Sequence, residues 1–267
     1  MARTRALNQW PSVATQEPID FTRDSSKVFE EGAVGRPRIH SGRPKIVAAI
    51  PCYNEETFIG DIVQQARRYV DEVIVVDDGS RDGTAAAARA AGAIVLKHET
   101  NRGYGEAIGS CFKVARDVEA DILVTLDGDS QHTASEIPAV LEPVVRGEAD
   151  LAIGSRFMSP DHLKHMPTYR KLGIKIITWL LNVGSETKVS DSQSGFRAYS
   201  RRLVDALPIS EKGMGVSVEV IARARRARFT IREVPITCIY HRESSTMNPL
   251  THGMSVALAT LRCRGVF

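Results

Sequence analysis

Ile46-Val47-Ala48-Ala49-Ile50-Pro51-Cys52-Tyr53-Asn54-Glu55-Glu56 passes from a branched apolar run into a polar loop led by proline. Five apolar residues of this kind, stopped by Pro51, fit a strand buried on both faces better than so short a helix. A helix is expected next, from Glu56 to Tyr69. The same order recurs downstream. A strand from Glu72 to Val76 meets Asp77-Asp78-Gly79-Ser80, and Asp82 is placed to cap an alanine-rich helix to Arg89, with Gly92 closing it. A strand from Ala93 to Lys97 precedes a helix from Gly105 to Arg116, and a strand from Ile122 to Leu126 runs into Asp127-Gly128-Asp129. This alternation predicts an α/β domain: a mostly parallel central sheet with helices on both faces. Such sheets bind ligands beyond the carboxyl ends of their strands, where each of these polar loops falls.

Farther on, the pattern predicts a helix from Ser135 to Arg146, a strand from Leu151 to Gly154 and a helix from Tyr169 to Asn182. A strand from Gly195 to Tyr199, a helix from Val216 to Arg226 and a strand from Ile231 to Tyr240 follow, the last confined to an edge or a bulge by Pro235. Residues 1–44 mix prolines, glycines and charges without a period and read as an irregular extension. The catalytic domain is expected over 45–250, with an amphipathic tail over 251–267.

The bulk properties fit one globular domain. Of 267 residues, 43% are hydrophobic, enough to bury one large core. A formal charge of +3 with dispersed Lys and Arg does not point to nucleic acid. Cys52, Cys111, Cys238 and Cys263 show no paired short spacing, so they read as reduced thiols and not as a zinc site or a disulfide framework. Arg3 and Arg5 precede no continuous apolar run, so the start does not read as a secretory signal and a cytoplasmic location is expected. The most apolar stretch, Ile174 to Val183, is interrupted by Lys175, Thr178 and Asn182 and is shorter than the roughly 20 residues of a spanning helix. Membrane contact, if any, is expected to be peripheral.

Chemistry concentrates at three strand ends. Two carboxylates separated by glycine, Asp127 and Asp129 with Gln131 and His132 just beyond, make an oxygen-ligand site for Mg²⁺ or Mn²⁺, which keep positions open for substrate phosphates. The same three residues are also good turn formers, and both readings stand. In Pro51-Cys52-Tyr53-Asn54-Glu55-Glu56 the aromatic ring can stack on a nucleobase while Glu55 accepts hydrogen bonds from base or ribose; equally, Asn54 can cap a helix. Asp78 offers a further acceptor for a base or ribose, or simply a turn.

In order and spacing, these three motifs together with Asn101-Arg102-Gly103-Tyr104-Gly105 resemble the family 2 glycosyltransferases. Gly154-Ser155-Arg156-Phe157, the block from Asp191 to Tyr199 and Glu233-Val234-Pro235-Ile236 look like the branch of dolichyl-phosphate mannose synthases and dolichyl-phosphate glucosyltransferases. The resemblance covers about Lys45 to His252. It implies a GT-A type fold and an inverting, metal-dependent transfer from a nucleotide diphosphate sugar to a polyprenyl or dolichyl phosphate. It further implies that Pro51, Tyr53, Glu55, Asp78 and Asp127 hold the nucleotide, that Asp127, Asp129 and Gln131 hold the metal and diphosphate, and that Arg156, Arg170, Arg242 and Ser245 hold the acceptor phosphate. Glu219 fits an acidic position of the family without an assigned role. Two departures stand out. Gly128 and Ser130 replace residues that are often alanine and a small or apolar residue, a change that reads as sterically mild. Thr246 replaces a frequent lysine, which bears on the acceptor contact.

In the helix from Tyr169 to Asn182, Arg170, Lys171 and Lys175 accompany Ile174, Ile176, Ile177, Trp179, Leu180 and Leu181, so it can lie in a membrane interface on the cytoplasmic face. Core packing explains the same stripe. Three rival functions are open to comparison. Gly103, Gly105 and Gly109 imitate the dinucleotide loop of an oxidoreductase, but they follow a third strand and lack the expected ribose-binding acid. A non-catalytic nucleotide-sugar binder would share the fold, although the intact Asp127 and Asp129 speak for turnover. Transfer to a sugar hydroxyl would call for a carboxylate base near the acceptor.

Overall fold

The computed structural model describes residues 43–158, 166–238 and 256–262. Ile46–Cys52 forms β1, Glu72–Asp77 β2, Ile94–Lys97 β3 and Ile122–Thr125 β4, all parallel to their neighbours in this group. Between them lie α1 (Ile59–Ala66), α2 (Thr84–Ala90) and α3 (Tyr104–Asp117). The chain continues through α4 (Ile137–Val145), β5 (Leu151–Ser155), α5 (Thr168–Asn182), β6 (Arg197–Ser200), α6 (Arg201–Ala206), α7 (Val216–Arg226) and β7 (Ile231–Pro235). The seven strands take the order β3-β2-β1-β4-β6-β5-β7, and β6 alone runs antiparallel to both of its neighbours.

Both faces of the sheet are covered, as the apolar runs require. Along β1 the side chains alternate. Val47 and Ala49 enter the core under α3, α6 and α7, whereas Ile46, Ala48 and Ile50 enter the core under α1, α2 and α4. β7 pairs only with β5, so Pro235 lies on an edge strand, where its missing N–H costs no ladder bond.

Several boundaries differ from expectation for local reasons. α1 begins at Ile59 and not Glu56, because the backbone N–H groups of Glu55 and Glu56 are drawn to Thr84 Oγ1 (2.8 Å) and Asp82 Oδ2 (3.2 Å). Asn54 does not cap it. With φ of 58° it turns back, and its Oδ1 accepts from Arg81 N at 2.9 Å. β6 begins at Arg197, since the Gly195 carbonyl accepts from the Thr125 hydroxyl (2.8 Å), and β7 ends at Pro235. The expected extension over 1–44 lies almost wholly outside the described residues, as do Tyr240 and most of the tail, of which 256–262 is helical.

The strand order matters most for function. From β1 the chain winds outward through β2 to β3, then returns to place β4 on the other side of β1. The crevice between the carboxyl ends of β1 and β4 is therefore the switch point of the sheet, the place where open α/β sheets take ligands. Pro51 to Glu56 leave one of the two strands that flank it and Asp127 to His132 the other.

Candidate active site

The first two loops are stitched together. Asn54 N donates to Ser80 Oγ (2.9 Å), the Glu56 carboxylate accepts from Gly83 N (2.6 Å), and Asp78 N donates to the Cys52 carbonyl (2.8 Å). Tyr53 is left 42% exposed over this seam, so its ring is free to stack. The buried Asp78 carboxylate accepts from Arg102 N (2.9 Å) and Gly103 N (2.8 Å) and lies 2.6 Å from His98 Nδ1. Its oxygens are thus engaged in holding the turn at Gly103, whose φ of 98° suits glycine, against the loop after β2.

The loop after β4 carries the paired aspartates. Tyr104, first residue of α3, donates its hydroxyl to Asp127 Oδ1 at 3.0 Å, and His132 Nε2 stands 3.4 Å from Oδ2. Gly195 closes over the same carboxylate, since a Cβ there would come within 2.5 Å of Oδ1. Asp129 accepts from Gln131 N (3.1 Å) and Gln131 Nε2 (2.5 Å). Gln131, expected as a metal ligand, turns its amide nitrogen to the Asp129 carboxylate and braces it. Ser130 between them has φ of 60°, a left-handed turn that brings Gln131 back to the Asp129 carboxylate.

The acids are not equivalent. Burial alone would raise the Asp127 carboxyl, but the hydrogen bond and charge of His132, the Tyr104 hydroxyl and nearby Arg156 outweigh it and hold the group below the usual carboxylate range. Asp129 is raised, first by burial and then by the charge of Asp127. Glu55 is pushed up to about 7 by burial and by the charges of Asp129, Asp82 and Asp127. Glu55 and Asp129 thus hold their protons more tightly than free carboxyls, and the part of this that comes from the charges of neighbouring acids is one a hard divalent cation would relieve. Among the described residues no group of three or more His, Cys, Asp or Glu side chains is arranged to enclose a metal. Two aspartates suffice for Mg²⁺ or Mn²⁺, which complete their shells with water and phosphate oxygens.

Arg156 follows β5. It is buried, and its Nε and Nη2 reach the Asp191 carboxylate at 2.7 and 2.8 Å. It was expected to hold a phosphate; its guanidinium forks onto Asp191 instead. Asp191 is held in turn by its neighbours: Glu233 on β7 accepts from Asp191 N (3.0 Å) and Ser190 N (2.7 Å). Arg170 opens α5, and its charge lowers the Asp129 carboxyl, opposing the burial that raises it. Glu219 has its carboxylate committed to its own surroundings. Its buried carboxylate accepts from Ser210 N (3.1 Å), Glu211 N (2.9 Å) and Arg223 Nε (2.8 Å), pinning the loop whose Lys212 carbonyl receives Gly105 N. Arg242 and Ser245 lie outside the described residues.

Residues 47–207, more than half of the chain, match Glycosyl transferase family 2. The chain belongs to that family. It is 34% identical to the UDP-N-acetylglucosamine–dolichyl-phosphate N-acetylglucosaminyltransferase of Methanococcus voltae, over 73% of this chain and 86% of that protein. It is also 34% identical to the undecaprenyl-phosphate mannosyltransferase of Micrococcus luteus, over 73% of this chain and 84% of the other. Glucosyl-3-phosphoglycerate synthase from Mycobacterium tuberculosis, solved with UDP, superposes with a TM-score of 0.67 at 24% identity, covering 83% of this chain and 80% of that one. The same synthase has been solved with Mn²⁺, UDP-glucose and phosphoglyceric acid. The protein is thus a glycosyltransferase with a GT-A type fold, related to enzymes that act on polyprenyl and dolichyl phosphates.

Proposed function

We propose that this glycosyltransferase moves a hexose from a nucleotide diphosphate donor to a polyprenyl or dolichyl phosphate with inversion, using Mg²⁺ or Mn²⁺. The reading rests on one observation: at the switch point of the sheet, Asp127 and Asp129 share one turn, with Glu55 near enough that their charges help to raise its carboxyl. The two lipid-phosphate relatives support the acceptor class. Pro51, Tyr53 and Glu55 take the nucleoside, while Asp78 keeps the turn at 102–103 closed beside them. Asp127 and Asp129 hold the cation, Tyr104 and His132 fix Asp127, and Gln131 fixes Asp129. When bound, the cation neutralises the diphosphate as it leaves.

The acceptor needs little activation, because a phosphate monoester with a second pKa of about 6 is already mostly dianionic at neutral pH. What the protein must supply is alignment and charge compensation. Arg170 and Arg242, with Ser245, are proposed to hold the acceptor phosphate. Arg156 shapes that wall through Asp191. Among the described residues no helix is long and apolar enough to cross a membrane. α5 instead exposes Tyr169 (62%), Leu172 (59%), Ile176 (50%) and Trp179 (65%) along one stripe beside Lys171 and Lys175. That pattern suits an interfacial helix on an anionic leaflet, bringing the site to the lipid.

A second reading, transfer to a sugar hydroxyl, draws on Glu55, whose pKa near 7 suits a general base. A donor screen tests both: radiolabelled nucleotide sugars are offered with a short-chain polyprenyl phosphate and, separately, with a hydroxyl acceptor. Label entering the organic phase with the lipid phosphate is expected. Label transferred only to the hydroxyl acceptor would replace the first reading with the second.

A further inference from the structure

Gly128 is the single residue between the two aspartates, and its backbone does not demand glycine, since it is not among the residues with positive φ. What demands it is a neighbour. A Cβ at 128 would stand 2.5 Å from Cys52 Sγ, 3.4 Å from the Pro51 carbonyl oxygen and 3.5 Å from Cys52 Cβ. The substitution that read as sterically mild in the sequence is therefore matched to the thiol beneath it, and an alanine here collides.

Cys52 has little freedom to yield. It is 4% exposed and packs in the apolar cluster with Ile50 and Leu126; its Sγ lies 3.6 Å from the Ile50 carbonyl. Its carbonyl accepts from Asp78 N, and its register partner in β2 is Asp77. The backbone of Cys52 thus belongs to the seam between the first two loops, while its side chain forms the floor under the third. The thiol acts as filler: it lies buried in the apolar cluster, and burial, followed by the charge of Glu55, pushes its pKa well up.

We propose that Cys52 and Gly128 are a size-matched pair of positioning residues that sets the height of the Asp127–Asp129 turn above the nucleoside loop, and with it the grip of the two carboxylates on a divalent cation. Neither residue touches the cation. Enlarging 128 lifts the turn, and shrinking 52 makes room for that enlargement. The pair rests on the metal role proposed above, and its test separates the two.

Mn²⁺ binding is measured directly, from the electron paramagnetic resonance signal of the free ion, on wild type, Gly128→Ala, Cys52→Ala and the double variant, with thermal unfolding of each recorded alongside. Gly128→Ala is expected to weaken Mn²⁺ binding about tenfold, the scale of an ordinary overpacking cost. Cys52→Ala, which leaves a small void in place of a clash, weakens it by only about two- to threefold. The double variant returns to within about threefold of wild type, because the new methyl fills the space the sulfur leaves. If Gly128→Ala alone fails to fold, the double variant must still fold and bind. Gly128→Ala binding like wild type, or a double variant no better than Gly128→Ala, overturns the pair while leaving the metal role intact. A wild type that binds no Mn²⁺ removes the metal role and the pair together.

Discussion

The crevice has two walls, and Glu55 and Asp129 on one are treated in the opposite way from Asp191 on the other. On the wall built by β5, β6 and β7, Asp191 is fully buried and faces Arg156; burial would raise its carboxyl, but the guanidinium outweighs that and holds it below the ordinary range. On the wall built by β1, β2 and β4, Glu55 and Asp129 face Asp127 and are both pushed up. Asp191 is neutralised by the chain itself, as Asp127 is by His132, Tyr104 and Arg156. For Glu55 and Asp129 burial and neighbouring charge win instead, and the proposed cation is what would offset them. The contrast separates the part of the site that shapes from the part that reacts, and it makes different demands on mutants of each wall.

The largest effect belongs to the repelling wall. Asp129→Ala is expected to lower transfer by about a thousandfold or more, since it removes both a cation ligand and the electrostatic support of the leaving group. The fold should survive, with a melting temperature equal to wild type or above it, because the substitution relieves repulsion. Activity assays with and without chelator, paired with calorimetry, read the two quantities separately. Full activity in excess chelator would refute the cation's part in the reaction.

Arg156→Met tests the other wall. It leaves Asp191 buried without its partner, which costs about 3–5 kcal/mol where such pairs have been broken. Urea unfolding is the proper readout, because the damage is to the framework before it is to the chemistry. If the variant keeps wild-type stability and loses only its affinity for the lipid phosphate, Arg156 contacts the acceptor after all, and the division between the walls is wrong.

These walls were unequally legible in the sequence. The strands β1, β2 and β4 and the loops after them could be read directly, because a buried parallel strand and its polar stop are written in consecutive residues. The pairings between loops could not. Tyr104 reaches Asp127 across 23 positions, and Asp191 reaches Glu233 across 42, with no local period to announce either. Asp78 looked like a nucleoside acceptor, but its oxygens hold its own neighbours, since a buried carboxylate takes the nearest N–H donors. Gly195 and Gly128 were quoted within their motifs, yet what their missing side chains make room for is visible only in three dimensions.

The exposed stripe of α5 offers a smaller test. If α5 carries the crevice to an anionic leaflet, Trp179→Ala combined with Lys175→Glu should reduce partition onto vesicles containing phosphatidylserine about thirtyfold, from the reversed charge alone. Flotation at low and high salt measures it, and the loss should shrink as salt rises. Equal flotation of wild type and variant would remove α5 from the membrane.

The smallest effect is the most specific to the contrast. Glu55 has a folded pKa of about 7 against an ordinary value of 4.5, so the folded protein holds its proton more tightly than the unfolded chain does. Its contribution to stability is therefore fully present below pH 4.5 and is lost as pH rises through 7. Glu55→Gln cannot ionise and should flatten that part of the stability profile, becoming the more stable protein at the upper end of the window. The slope should also shrink in wild type when Mn²⁺ is added, because a cation held at Asp127 and Asp129 offsets the charges that hold the Glu55 proton in place. Asp191, with its carboxyl held low, contributes in the opposite sense: its stabilisation is present above its unfolded pKa and is lost only in acid. Metal-dependent flattening between pH 4.5 and 7 would thus report on the repelling wall alone, and a profile indifferent to both Mn²⁺ and Glu55→Gln would mean that the three acids do not share one field.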